Sequence, residues 1–313
     1  MADALIDTAP RLAQPADVTG ETSWRGSAEG YLFLSPWLIG FVGLTLGPAL
    51  VSLYLSFTDF DLLSNPRWIG AANYARIATS DAKFVAAMHV TFVYVALAVP
   101  LKLIFALMVA VILNKGISGL PLYRALFYLP SLIGASVAVA VLWRQLFAGD
   151  GLLNQALAPF GIRGPSWISD PDTSLYTLVA LSIRQFGSPM IIFLAGLRQI
   201  PKDIYEAAQI DGANPRQQFW KITLPLLTPV IFFNGVVQTI DAFKAFTPAF
   251  IISGGTGGPI DSTLFYTLYL YQEAFAHFRM GYAAALAWVL VVIIAAFTAL
   301  AFLSSRYWVH YDG

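Results

Sequence analysis

The sequence contains no cysteine in its 313 residues, which excludes disulfides and thiolate metal sites. It is also short of charge. Asp, Glu, Lys and Arg make up 12% of it, about half the share of a soluble domain. Eighteen cations balance eighteen anions, so the composition points to no nucleic-acid partner. The three histidines, His89, His277 and His310, lie far apart with no ligand spacing, and no metal is expected. A GxxxxGK[ST] phosphate loop is missing: the nearest run, Gly254–Pro259, lacks the lysine. Neither a Ser/His/Asp set nor a paired-carboxylate site stands out. The chain is therefore expected to be non-catalytic, with no cofactor of its own and no means of using ATP by itself.

What the chain does have is apolar length. Hydrophobic residues make up 58%, and mean hydropathy is +0.67. A membrane-spanning helix needs about 20 mostly apolar residues. Six runs qualify, at about 31–57, 84–113, 122–147, 174–197, 224–252 and 282–304. They predict an all-α integral membrane protein with six transmembrane helices. Residues 1–30 are polar and lack the order of a signal peptide, and they read as a mobile cytoplasmic tail before a membrane domain at 31–313. With the N-terminus inside, the inner loops and ends hold nine cations (Arg11, Arg25, Lys115, Arg124, Arg198, Lys202, Arg216, Lys221 and Arg306). The outer loops hold five (Arg67, Arg76, Lys83, Arg163 and Arg279). The excess puts both termini on the cytoplasmic side.

One stretch between the fourth and fifth runs is neither apolar nor a simple loop. Residues 206–220 read EAAQIDGANPRQQFW. Pro201 suits a helix start. Ile200, Ile204, Ala207, Ala208 and Asp211 follow helical spacing. Gly212 suits the left-handed residue that ends a helix, and Asn214-Pro215 can cap and start another. The prediction is a short helix–turn–helix over about 198–223 on the cytoplasmic face. Ala207 and Ala208 permit close approach of another surface, and Glu206 adds a charge there. The elbow either packs only on its own spans or serves as a docking surface.

The same residues carry a resemblance. Glu206-Ala207-Ala208, Asp211-Gly212-Ala213, Phe219, Ile222 and Leu224-Pro225 resemble the EAA loop of permease subunits of binding-protein-dependent ABC importers. Segments 33–60, 68–77, 123–133, 257–263 and 281–290 are similar to the MalF/UgpA-like carbohydrate permeases, so the likeness spans about 31–313. It implies the type I importer permease fold, in the bacterial cytoplasmic (inner) membrane. It implies that Glu206, Ala207, Ala208, Asp211 and Gly212 form the contact set of a coupling helix seated on an ATPase. It further implies a second related permease subunit, two ATP-binding subunits that hold the ATP and Mg, and a periplasmic solute-binding protein. That protein would dock on loops including Gly257, Gly258 and Pro259.

Charges inside a span usually face a cavity or a partner. Lys102, Arg144, Arg184, Asp241 and Lys244 fall inside these runs. Arg144 lies near a span end, where it can snorkel, and Lys102 can pair elsewhere or lie nearer an interface. Gln238, Asp241 and Lys244 share one helix face. They either meet the cargo or lock span five internally. Register against maltose-type permeases brings Arg184, Gln185, Ser188, Asp241 and Lys244 onto substrate-contacting positions. Arg184 and Lys244 replace neutral family positions, and this suggests an acidic sugar such as a uronate oligosaccharide, or a phosphorylated polyol. The alternative for the whole protein is a secondary transporter or channel acting without an ATPase. That reading lacks an inverted repeat and has Asp241 alone as an intramembrane acid.

Overall fold

The computed structural model describes residues 24–115, 119–133 and 136–310, with side chains from residue 31 onward. Most of the expected tail, residues 1–23, and the last three residues lie outside the described residues. The chain divides into two compact units, Met1–Val51 and Ser52–Gly313.

In the first unit helix α1 (Trp24–Phe41) starts seven residues before the expected span at 31. The edge of an apolar run marks where lipid ends, not where helical hydrogen bonding ends. A π turn follows at Val42–Leu46, closed by Gly47 N–H donating to the Val42 carbonyl. Pro48 explains it, since its ring would clash with the Leu44 carbonyl of a regular helix. Helix α2 (Gly47–Leu55) carries the chain onward.

In the second unit α3 (Ala72–Thr79) leads into α4 (Ala82–Asn114), the longest helix. Then come α5 (Leu120–Leu132), α6 (Val137–Leu146) and α7 (Leu152–Leu157). Helices α8 (Pro171–Ile183) and α9 (Gly187–Gln199) precede the elbow, made of α10 (Lys202–Ile210) and α11 (Pro215–Gln218). After a π turn at Phe219–Thr223 come α12 (Leu224–Leu226), α13 (Thr228–Phe243) and α14 (Thr247–Ser253). Helices α15 (Tyr266–Tyr271) and α16 (Met280–Trp308) complete the order. Among the described residues there is no strand, only an isolated bridge between Thr58 and Trp68.

Three helical stretches are continuous and apolar enough to span: Tyr31–Leu55, Ala82–Asn114 and Met280–Trp308. Three bent helix pairs are together long and apolar enough to span: α5 with α6, α8 with α9, and α11–α12 with the helices that follow. Counting each bent pair as one span gives up to six, the number of runs expected, but those three are not single rods. The α8–α9 pair bends by 47° and the pair meeting at Leu227 by 62°. At the latter, Pro229 leaves the Pro225 carbonyl without its helical donor, and the Thr228 hydroxyl donates to it at 2.6 Å.

Helix α4 is the mast of the core. Its buried stripe recurs at helical spacing through Ala87, Val90, Tyr94, Ala98, Lys102, Ala106, Val109 and Leu113. The upper part packs with Leu178 and Leu181 of α8, Tyr266 and Tyr269 of α15, and Tyr282 and Leu286 of α16. The lower part packs with Phe186, Met190, Phe193 and Leu197. In hydrocarbon, close packing rather than escape from water holds helices together. Ala87, Ala106 and Ala110, all fully buried, permit that approach.

The start of α4 is clamped. Asp81 accepts the Phe84 N–H and the hydroxyls of Tyr269 and Tyr282. Burial pushes its carboxyl up, but these hydrogen bonds outweigh it and hold the group below the usual aspartate range. Beside it, Asn73 donates to the Ser56 and Thr58 carbonyls, both at 2.9 Å. Gly281 N–H donates to the Phe60 carbonyl at 2.9 Å. A Cβ at Gly281 would overlap the Thr58 carbonyl oxygen. Gly281→Ala should therefore lower stability by about 1–3 kcal/mol, read as a lower Tm of the solubilised protein. Gly235→Ala, inside α13 where a Cβ meets nothing within 4 Å, is the matched control and should keep or slightly raise Tm.

Candidate functional site

The elbow forms as its end signals dictate. Pro201 is the residue before α10, with an extended ψ of 138°. Helix α10 ends in a Schellman motif: Gly212 N–H donates to the Gln209 carbonyl at 3.0 Å and Ala213 N–H to the Ala208 carbonyl at 2.8 Å. Gly212 has φ +79°, which a β-branched residue resists. Asn214 and Gln217 then form a reciprocal capping box, both bonds at 2.9 Å. The hydroxyls of Tyr205 and Thr223 meet at 2.9 Å and tie the two arms. Glu206, Ala207, Asp211 and Gly212 are exposed, and Ala208 is half-buried. Ile210 is 88% exposed at the tip. The elbow leaves exposed a small-residue surface with one bare isoleucine at its tip.

The intramembrane polar residues fall at two helix breaks. Span four was expected to run unbroken through 174–197; it is interrupted between α8 and α9 instead. Pro189 is the cause: it has no N–H for the Gln185 carbonyl and its ring clashes there. Arg184 and Gln185 sit in the break, half-buried, and Ser188 is exposed one turn on. Gly187 closes the break against α5. A Cβ there would come within 2.9 Å of the Tyr128 Cα, and Gly187 N–H donates to the Ser131 hydroxyl at 2.8 Å. Arg184 Nη1 donates to the Pro130 carbonyl at 3.0 Å. That oxygen belongs to the last turn of α5, where a cation complements the helix dipole.

The second break separates α13 from α14. Pro248 acts there on the Lys244 carbonyl as Pro189 does on Gln185. Asp241 and Lys244 pair at 3.2 Å, with side chains 58% and 55% exposed. Gln238, on the same face, is buried. Its Oε1 accepts from Lys102 Nζ at 3.0 Å, and Lys102 is 7% exposed. Asn234, one turn before Gln238, is buried with neither amide atom hydrogen-bonded among the described residues. Irregular backbone at membrane depth is tolerated where it lines protein or a cavity; Arg184, Gln185 and Lys244 sit on such backbone, while Ser188 lies within α9 and Gln238 and Asp241 within α13.

Other expected residues take structural places. Arg144 lies in the last turn of α6. Tyr282 and Phe243 are buried in the core. In the loop at 254–259, Gly257 is buried, with its carbonyl accepting from Thr263 N–H at 2.8 Å. Gly258 and Pro259 are half-buried, and the exposed tip is Ile260 at 89%. The glycines supply the positive φ of the turn, and Gly254 and Thr256 are exposed as well. Glu273, outside the expected spans, is a buried acid that the sequence reading did not single out. Arg279 Nη2 and His277 Nδ1 each lie 3.0 Å from its Oε1. Among the described residues no cluster of His, Cys, Asp or Glu fits a metal.

The chain is a multi-pass helical protein with bent spans and an exposed polar elbow. Its residues 75–309 match the family model described as binding-protein-dependent transport system inner membrane component, and the chain belongs to that family. A Bacillus subtilis (strain 168) protein, described as the probable ABC transporter permease YesP, is 55% identical over 289 residues, 92% of this chain and 94% of that one. The lactose transport system permease LacF of Rhizobium radiobacter is 33% identical over 286 residues, 89% of this chain and 94% of that one. Among solved structures, a chain of a bacterial alginate ABC transporter in complex with an alginate pentasaccharide-bound periplasmic protein superposes with TM-score 0.78 at 21% identity. The match covers 90% of this chain and 95% of that one, and establishes the ABC importer permease fold.

Proposed function

We propose that this chain is one of two permease subunits of an ABC importer that carries a carboxylated sugar or oligosaccharide from periplasm to cytoplasm. The carbohydrate class is supported by relatives named for sugar transport, LacF among them. The acidic character rests on one observation: the two proline-made breaks and their neighbours hold three cations, Lys102, Arg184 and Lys244, against the single anion Asp241. Pairing within that set still leaves an excess of positive charge. Arg184 offers a fork suited to a carboxylate, while Gln185, Ser188 and Gln238 supply neutral partners for sugar hydroxyls. The Gln185 and Lys244 carbonyls, freed by Pro189 and Pro248, add acceptors.

Energy comes from partners. Two ATP-binding subunits hold ATP and Mg, and one seats against Glu206, Ala207, Ala208, Asp211 and Gly212. Their closure moves the elbow, and rigid-body rearrangement of the bundles then alternates access to the breaks. A solute-binding protein delivers cargo at the outer loops, Gly257–Pro259 and Ile260 among them, with both termini of this chain cytoplasmic. Uptake by the reconstituted complex, with matched neutral and uronate trisaccharides and with wild type against Arg184→Gln, tests the cargo. Unchanged relative preference in the variant would count against an acidic substrate.

A further inference from the structure

We infer that Lys102 is a positioning residue for cargo recognition: its ammonium holds the Gln238 amide oxygen, so that residue 238 presents only donors to the cargo. The inference rests on Gln238 belonging to the proposed cargo site. An amide side chain ordinarily offers either end to a ligand, and which end faces where is decided by its neighbours. A lysine ammonium has three donors and no acceptor. A protonated Lys102 therefore orients the amide with its oxygen toward Nζ, as it stands at 3.0 Å. Among the described residues nothing accepts from the remaining NH2 group of Gln238.

The location argues against an incidental contact. Lys102 lies on the buried stripe of α4, in register with Ala98 and Ala106, which are 1% and 0% exposed. A charge there is expensive, and methionine or leucine would fill the same groove at lower cost. Asp241 lies three residues beyond Gln238 and pairs with Lys244 on the exposed side. One buried cation thus sets the hydrogen-bonding polarity of α13 beside its exposed charged pair. A site presenting the Gln238 NH2, the Arg184 guanidinium and the Lys244 ammonium consists mainly of donors, which suits an acceptor-rich cargo such as a uronate.

The test uses the assembled complex in proteoliposomes, with radiolabelled neutral and uronate trisaccharides. Lys102→Met should raise KM for the transported trisaccharide by about tenfold or more, with kcat within about twofold. Lys102→Arg, which still donates, should keep most of the affinity. Gln238→Glu retains an acceptor for the buried ammonium while removing the amide donors, and should raise KM similarly. Unchanged KM in Lys102→Met overturns the inference, as does a fall in kcat with KM intact, which marks a merely structural role. If Lys102→Met fails to assemble, unchanged KM in Gln238→Glu overturns it. A wild-type complex that takes only the neutral sugar ends the acidic reading, while KM for that sugar still decides the role of Lys102.

Discussion

Gly212→Val should leave the protein in the membrane, keep ATP hydrolysis by the assembled complex and lower uptake by at least about tenfold. The residue sits at φ +79° in the Schellman turn that ends α10. Valine there costs about 1–2 kcal/mol of backbone strain or more. Against a total stability of about 5–15 kcal/mol the fold survives that cost. A Cβ at Gly212 meets no atom within 4 Å, so the damage comes from the backbone and stays within the elbow. The two hydrogen bonds of the turn, and the angle between α10 and the capping box of Asn214 and Gln217, are what give way. A contact surface that must follow the movement of an ATPase then loses its geometry. Gly212→Asn should retain transport, because asparagine tolerates the left-handed region. Equal loss in both variants would show that side-chain bulk, not backbone conformation, is at fault. Normal uptake by Gly212→Val would remove the elbow from the coupling mechanism.

Arg184→Gln should shift relative preference away from uronate and toward neutral oligosaccharide by roughly 10- to 100-fold. This follows from the about 1.5–3 kcal/mol of a hydrogen bond to a charged group and a tenfold change per 1.4 kcal/mol. The closure of the α8–α9 break against α5 is retained through Gly187, whose N–H donates to the Ser131 hydroxyl. What the substitution removes is the charge and the fork. Measuring the ratio for one binding protein with two permease variants cancels the selectivity of the binding protein itself. Neutral-sugar uptake should remain near wild type. A proportional loss of both substrates would instead assign Arg184 to holding α5.

Much of this was legible in the residues, and what was not has identifiable causes. The six runs announced themselves because hydrocarbon demands length and apolarity, which counting detects. The elbow was legible because Gly212, Asn214 and Pro215 act within a few residues of themselves. The breaks were not read, because an apolar count is blind to one missing N–H. Pro189 and Pro248 were the available signals, each four residues beyond a residue assigned to cargo. Lys102 was noticed as a costly charge but left outside the site. Its phase with Ala98 and Ala106 marks it as facing the bundle. Its bond to Gln238 spans 136 residues of sequence, and Arg184 reaches Pro130 across 54, so neither partner was readable locally. Burial of Glu273 is a tertiary result as well, although Arg279 six residues on hinted at an ion pair.

The central claim is that the elbow transmits work from an ATPase, and the absence of cysteine makes it directly measurable. A single Ala207→Cys, labelled with a maleimide photocrosslinker in the assembled, transport-competent complex, reports one position only. Ile260→Cys in the outer loop is the matched control. The account predicts an adduct with the ATP-binding subunit from position 207, changing in yield with ATP, and none from position 260. An assembled and active complex giving no ATPase adduct at position 207 would contradict it.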